Sequence, residues 1–126
     1  MSTDSPTLDA LTARVRAFSE ARDWVQFHSP RNLAMALSVE ASELLELYLW
    51  CDDDGPQPRV AEREPKVADE AADVLMCLLN LCDQAGIDLG RAFHDKMDRA
   101  EKKYPVERVH GKALKYSEYD EFEGEQ

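Results

Sequence analysis

The stretch Pro30 to Trp50, PRNLAMALSVEASELLELYLW, decides the fold. Within it Leu33, Leu37, Glu40, Leu44 and Leu47 recur at alternating steps of four and three residues, the spacing of a helix stripe buried in a bundle. Ser29-Pro30 supplies a capping residue followed by a proline suited to a first helical position. Cys51 to Pro58, CDDDGPQP, is too dense in turn residues to continue the helix, so it is expected to end near Trp50. One position breaks the hydrophobic rule, because Glu40 sits on the apolar seam. Glu43 follows about 60° around the same face, and Glu46 repeats the step.

Outward from this helix the pattern stays helical. Asp4-Ser5-Pro6 resembles a helix start, and Leu8, Leu11, Val15 and Phe18 recur at helical spacing, which predicts a first helix to about Arg22. DWVQFHSP, Asp23 to Pro30, breaks the period and puts Trp24, Phe27 and His28 on a connector. A third helix is expected to start between Arg59 and Pro65 and to end at Gly86. Its seam is Val67, Ala71, Val74, Leu78 and Leu81, bordered by Glu70 and Asp73. Asp88 caps a fourth helix carrying Leu89, Phe93, Met97 and Ala100, which stops before Tyr104-Pro105. No strand pattern or internal repeat occurs. An all-α, four-helix bundle is expected over residues 1–105. Residues 106–126 read as a polar, acidic and mobile tail, in which Glu118 to Gln126 holds five acids and no base.

Composition bounds the function. The chain of 126 residues has a formal charge of −11, which excludes a clamp that neutralises nucleic-acid phosphates. Val74 to Leu79, its longest apolar stretch, is far short of the roughly 20 residues needed to cross a bilayer. Met1 to Ala10 has no basic residue and does not read as a signal peptide. The three cysteines, Cys51, Cys77 and Cys82, lack metal-site spacing, and Cys77 and Cys82 read as buried thiols within an apolar run. A soluble cytoplasmic protein is expected.

The carboxylates carry the chemistry. An ionised carboxylate turned towards a core costs several kcal/mol unless it is paired or binds a cation. No Lys or Arg lies between Asn32 and Asp54, so the second helix has no internal partner for Glu40. Glu40-x-x-Glu43 and Glu70-x-x-Asp73, on helices that a short connection makes antiparallel, can face one another. Hard oxygen donors without histidine suit Mg²⁺ or Mn²⁺ rather than zinc. By contrast, Asp52-Asp53-Asp54 reads as a solvated turn. Glu107-x-x-His110 lies off any apolar seam, where a di-iron bundle would need two inward Glu-x-x-His pairs. His28 and His94 stand alone and read as surface or capping residues. No nucleophilic triad or glycine-rich phosphate loop is present.

The run Arg22 to Trp50, RDWVQFHSPRNLAMALSVEASELLELYLW, followed by DEAADVL, Asp69 to Leu75, resembles the MazG-like all-α nucleotide pyrophosphohydrolases of the compact dCTP pyrophosphatase type. GIDL (Gly86 to Leu89), KM (Lys96-Met97) and KYP (Lys103 to Pro105) extend the resemblance from about Leu8 to Arg108. It implies a Mg²⁺-dependent enzyme that converts a nucleoside triphosphate, such as dCTP or a modified nucleotide, to the monophosphate and pyrophosphate. In that family the residues matching Glu40, Glu43, Glu70 and Asp73 bind the metal. The nucleophile is expected to be a metal-bound hydroxide or water deprotonated by one of these carboxylates, Glu43 for choice, with Glu40 beside it. Trp24 and Trp50 match aromatic positions of the nucleotide pocket, and Lys96 and Lys103 are candidates to meet phosphates. Arg31 and Asn32 read as helix-start or pocket residues.

The resemblance also implies a homodimer or homotetramer, with no nucleic-acid or membrane partner. Three positions depart from the cytosine-selective pattern: Cys77 stands for Tyr, Ala100 for Asn and Val15 for a pocket His. Cys and Ala cannot reproduce the hydrogen bonds of Tyr and Asn, so the resemblance leaves base preference open. The rival reading is a non-catalytic helical nucleotide-binding or dimerisation module on the same bundle, which would bind nucleotide or metal without product.

Overall fold

The computed structural model describes residues 4–49 and 58–119, with side chains from residue 65 onward in the second segment. All its regular elements are helical: α1 (Leu8–Ala21), a 3₁₀ turn (Val25–Phe27), α2 (Pro30–Glu46), α3 (Pro58–Ala85), α4 (Leu89–Lys103) and α5 (Val106–Val109). No strand occurs among the described residues. Contacts divide the chain into a first unit, Met1–Leu89, and a second, Gly90–Gln126.

Local chemistry sets the helix ends. The first helix begins later than Asp4-Ser5-Pro6 predicts, because the Thr7 hydroxyl accepts the Ala10 N–H at 3.2 Å and caps it. It ends in a Schellman turn, with the Trp24 N–H on the Ser19 carbonyl at 3.0 Å and the Asp23 N–H on the Glu20 carbonyl at 3.1 Å. Asp23 takes the left-handed position at φ 53°, a conformation that short polar side chains tolerate better than most. That turn carries the chain into the 3₁₀ segment and swings Trp24 back beside Phe18, with ring centroids 5.7 Å apart.

Ser29 and Pro30 open α2 as expected, the Ser29 hydroxyl accepting the Asn32 N–H at 3.1 Å. The helix proper stops at Glu46 rather than near Trp50, and tighter turns follow, such as Tyr48 N–H to the Leu45 carbonyl at 3.0 Å. Its seam lies as the spacing implied: Leu33 is buried and Leu37, Glu40, Leu44 and Leu47 are half-buried. Met35, Val39 and Leu45 on its other faces are 57%, 56% and 64% exposed.

The start of α3 departs from expectation, since Pro58 opens it and Pro65 lies inside. A proline there removes one backbone bond, the one its N–H would give to the carbonyl of residue 61, and the helix continues past it. At the other end Gly86 meets the prediction. Its φ of +69° completes a second Schellman turn, with Ile87 N–H on the Cys82 carbonyl at 2.8 Å. Ala71, read as part of the α3 seam, is exposed, while Leu79 and Cys82 are buried at 2% and 6%.

Helices α2 and α3 run antiparallel, because the carboxylates of Glu40 and Glu43 approach Glu70 while His28, just before α2, bonds to Asn80 near the end of α3. Helix α1 packs on α3 and is pinned by the two-pronged Arg16–Asp83 pair, at 2.9 Å and 2.5 Å. The Arg16 side chain is half-exposed, so solvent screens the pair and it orients α1 more than it stabilises the fold.

The second unit holds an aromatic cluster of its own. Tyr104 makes edge contacts with Tyr116 and Tyr119, whose ring centroids lie 6.0 Å and 6.1 Å away. Tyr119 is 3% exposed, its hydroxyl donating to the Lys112 carbonyl and accepting the Leu114 N–H. Residues 106–119, taken from the sequence as the start of a polar tail, therefore include a short helix and a buried tyrosine. The aromatic residues have no helical period, which is why periodicity does not reveal them.

Leu79→Ala should lower unfolding stability by about 2–5 kcal/mol, the range for emptying a packed leucine site, as read from urea unfolding. A change below about 0.5 kcal/mol, the scale of an ordinary surface substitution, would place Leu79 outside the core.

Candidate functional site

The acidic seam of α2 meets that of α3. Carboxylate oxygens of Glu40, Glu43 and Glu70 all lie within 4.8 Å of one another. Asp73, one helical turn beyond Glu70, adds its field to both Glu40 and Glu70. Three of the four sequence-predicted carboxylates thus come together between the two helices, and Asp73 acts on two of them through its charge. Glu46, the next step along α2, is exposed and outside the cluster.

The electrostatics of the cluster are unfavourable as it stands. Glu40 is pushed up to about 7 by its hydrogen bond to Glu43, by burial and by the charges of Glu43, Asp73 and Glu70. Glu70 is raised too, by burial first and then by the charges of Glu43 and Asp73. Glu40 Oε2 and Glu70 Oε2 are buried without any hydrogen-bond partner. Orphaned buried oxygens of this kind are rare and costly, and a divalent cation satisfies both at once. The donor set is carboxylate throughout, which fits a hard cation such as magnesium.

Beside the cluster, along the same face of α3, Asp73 is followed by Cys77 and then Asn80. Cys77 and Cys82 are free thiols, half-buried and buried as the sequence implied. Burial pushes both up, and the charges of Glu40 and Asp73 push Cys77 further. Neither is therefore primed as a nucleophile. Cys77 and Asn80 line a cavity of about 70 Å³ with Val15, Phe18, Trp24 and His28. Trp24, on the connector, forms one wall by its edge contact with Phe18, and the Arg22 guanidinium stacks on the far Phe18 face at 3.7 Å.

The remaining predicted residues divide. Asn32 is structural, its side-chain N–H donating to the Phe27 carbonyl at 3.0 Å and tying the 3₁₀ turn to α2, and Arg31 is exposed. Lys96 and Lys103 belong to the second unit, where Lys103 Nζ lies 4.6 Å from the Tyr116 ring centre. Ala100 is half-buried on α4 in that unit. Trp50, Cys51 and Asp52 to Asp54 lie outside the described residues. Glu107 lies within α5 and His110 caps its C-terminal end, and among the described residues no histidine joins the acidic cluster.

Sequence reading missed the Asn80–His28 pair. His28 is no isolated surface residue, because the Asn80 side-chain N–H donates to its Nδ1 at 3.1 Å across 52 residues of sequence. The signal was present: Asn80 is the lone polar residue of the run VLMCLLNLC and follows Asp73 by seven positions, two helical turns.

Comparison with known proteins agrees with this geometry. Residues 35–119 match the MazG-like family. The rat protein "dCTP pyrophosphatase 1" (Rattus norvegicus) is 40% identical over 115 residues, spanning 90% of this chain and 68% of the relative. Its human namesake (Homo sapiens) is 37% identical over the same coverage. Among solved structures, a pyrophosphatase from Archaeoglobus fulgidus superposes with a TM-score of 0.73 at 37% identity, covering 83% of this chain and 98% of that one.

A carboxyl held above its ordinary value of 4.5 keeps its proton more tightly folded than unfolded, so the metal-free protein should lose stability as pH rises from about 4.5 to about 7. Magnesium should accordingly raise the melting temperature more on the alkaline side of about 7 than near 4.5. Glu40→Gln should melt no lower than wild type without metal and lose the magnesium shift. An undiminished shift would remove Glu40 from the cation site.

Proposed function

The chain belongs to the MazG-like family and is a nucleotide pyrophosphohydrolase, and we propose that it works with magnesium, or manganese, held by Glu40, Glu43, Glu70 and Asp73. The observation that carries this reading is the pair of buried, unpartnered carboxylate oxygens, Glu40 Oε2 and Glu70 Oε2, facing each other across α2 and α3. The substrate is a nucleoside or deoxynucleoside triphosphate, with dCTP and modified deoxynucleotides foremost because the relatives are named for dCTP.

Water attacks the α-phosphorus, the bond to the oxygen bridging to the β-phosphorus breaks, and the monophosphate and pyrophosphate leave. Bound in the cluster, magnesium would neutralise the triphosphate oxygens and the charge growing on the leaving pyrophosphate. Glu43 accepts the proton of the attacking water. Glu40, hydrogen-bonded to Glu43, orients it and shares the cation. Trp24 offers a ring face against which a base can stack. The family resemblance offers Lys96 and Lys103 as phosphate contacts acting as point charges, and Trp50 as a second aromatic residue for the base.

The reading includes a homodimer or homotetramer, acting in the cytoplasm. Its support is the apolar surface of the first unit. Leu11, Val15, Phe18, Leu75, Met76 and Leu79 line a groove of about 400 Å³ between α1 and α3. Apolar side chains of α2 also stand largely exposed, a pattern that marks association surfaces.

Purified protein with magnesium should release pyrophosphate from at least one nucleoside triphosphate. Glu43→Gln should lower kcat/KM by more than the about 10–100-fold typical of losing an outer-shell partner. Binding of nucleotide with no product from a broad panel would instead favour the non-catalytic module. Light scattering should give a mass of twice or four times 14.3 kDa, and a monomer would overturn the assembly.

A further inference from the structure

We propose that Asn80, fixed in orientation by His28, is the hydrogen-bonding reader of a single-ring base in the cavity beside the acidic cluster. The inference rests on the pyrophosphohydrolase reading and deepens it by naming what selects the substrate. Three observations carry it.

The first is place. Asp73, Cys77 and Asn80 follow one another along one face of α3, so the cavity begins a helical turn past the carboxylates and Asn80 lies about 10 Å along the axis from Asp73. A nucleotide whose α-phosphate sits at the cluster can direct its base into this cavity.

The second is size. At about 70 Å³ the cavity is roughly half the 150 Å³ void that takes benzene. It admits the edge of one ring between Trp24, Phe18 and Val15 and no whole base. Cys77 and Val15 contribute no strong hydrogen-bonding group to the wall.

The third is chemistry. Asn80 is 8% exposed, and a buried amide is kept only where it is hydrogen-bonded. A free asparagine can flip its amide and read either donor–acceptor order of a base edge. Here, with the His28 proton on Nε2, Nδ1 accepts from the Asn80 N–H at 3.1 Å and that bond sets the flip. The carbonyl oxygen and the second N–H are the groups that meet the base, as one acceptor and one donor in a set order. Asn80 reads and His28 positions.

The test is calorimetric binding of non-hydrolysable α,β-methylene analogues of dCTP, dUTP, dTTP and dATP, with magnesium, to the full chain. Wild type should favour one pyrimidine analogue over the other bases, the purine included. Asn80→Leu should lessen the ratio of dissociation constants between the preferred pyrimidine and the next by about 10-fold or more. His28→Ala should lessen the ratio while leaving binding of the less favoured bases in place. Asn80→Asp, which keeps the shape and can accept a hydrogen bond from His28, removes the N–H and should also change the ratio. Unchanged ratios in Asn80→Leu and Asn80→Asp, or a wild type that prefers the purine analogue, would overturn the inference while leaving the pyrophosphohydrolase reading intact. A wild type that discriminates as described but releases no pyrophosphate from the parent nucleotides would sink that reading and leave Asn80 as the reader. No binding of any analogue would overturn both.

Discussion

Four acids gathered between two helices with no base among them are the constraint on which the rest depends. Like charges at this spacing repel, and burial removes the water that would screen them. Part of that cost shows in Glu40, whose carboxyl the Glu43 hydrogen bond, burial and the neighbouring charges push up to about 7. Such an arrangement is unsuited to stabilising a fold and well suited to capturing a divalent cation, because the ion converts the strain into binding. The scaffold around it is correspondingly firm: capped helix starts at Thr7 and Ser29, Schellman turns at Asp23 and Gly86, and the Arg16–Asp83 pair between α1 and α3.

Much of this was legible in the sequence because it is periodic. The seam through Leu33, Leu37, Leu44 and Leu47 places Glu40 inward by arithmetic alone, and Ser29-Pro30 and Gly86 mark ends by local chemistry that needs no partner. The acidic excess of the whole chain, −11, has the same origin, since much of it lies in these four residues and in the run Glu118 to Gln126. What periodicity cannot show is contact between distant segments. Asn80 and His28 meet only once α2 has folded back on α3, and Tyr119 is buried only because Tyr104 and the Lys112 carbonyl come to it. Pro65 shows the opposite limit, a local breaker signal overridden within a long helix.

The site divides its labour along α3. In the reading proposed above, its acidic turn meets phosphate through the cation, and the next two turns present Cys77 and Asn80 to whatever the phosphate carries. Selectivity can then change by substitution at Cys77 or Asn80 on α3, or at Val15 on α1, without replacing a carboxylate. This explains how the chain keeps the metal-binding pattern of the family while departing from the cytosine-selective pattern at the wall of the cavity. Among the described residues of the first unit few side chains are fully buried, and large apolar ones such as Met35, Val39 and Leu45 stand exposed.

The central claim is that Glu40, Glu43, Glu70 and Asp73 hold the cation that meets the triphosphate. Electron paramagnetic resonance of Mn²⁺ added to the metal-free protein tests it most directly, with phosphorus coupling measured after addition of a non-hydrolysable nucleoside triphosphate analogue. The account predicts a bound Mn²⁺ signal that gains phosphorus coupling with the analogue and is lost in Glu70→Gln. An unaltered bound signal in Glu70→Gln and Glu40→Gln, or bound Mn²⁺ that never couples to phosphorus, would contradict it.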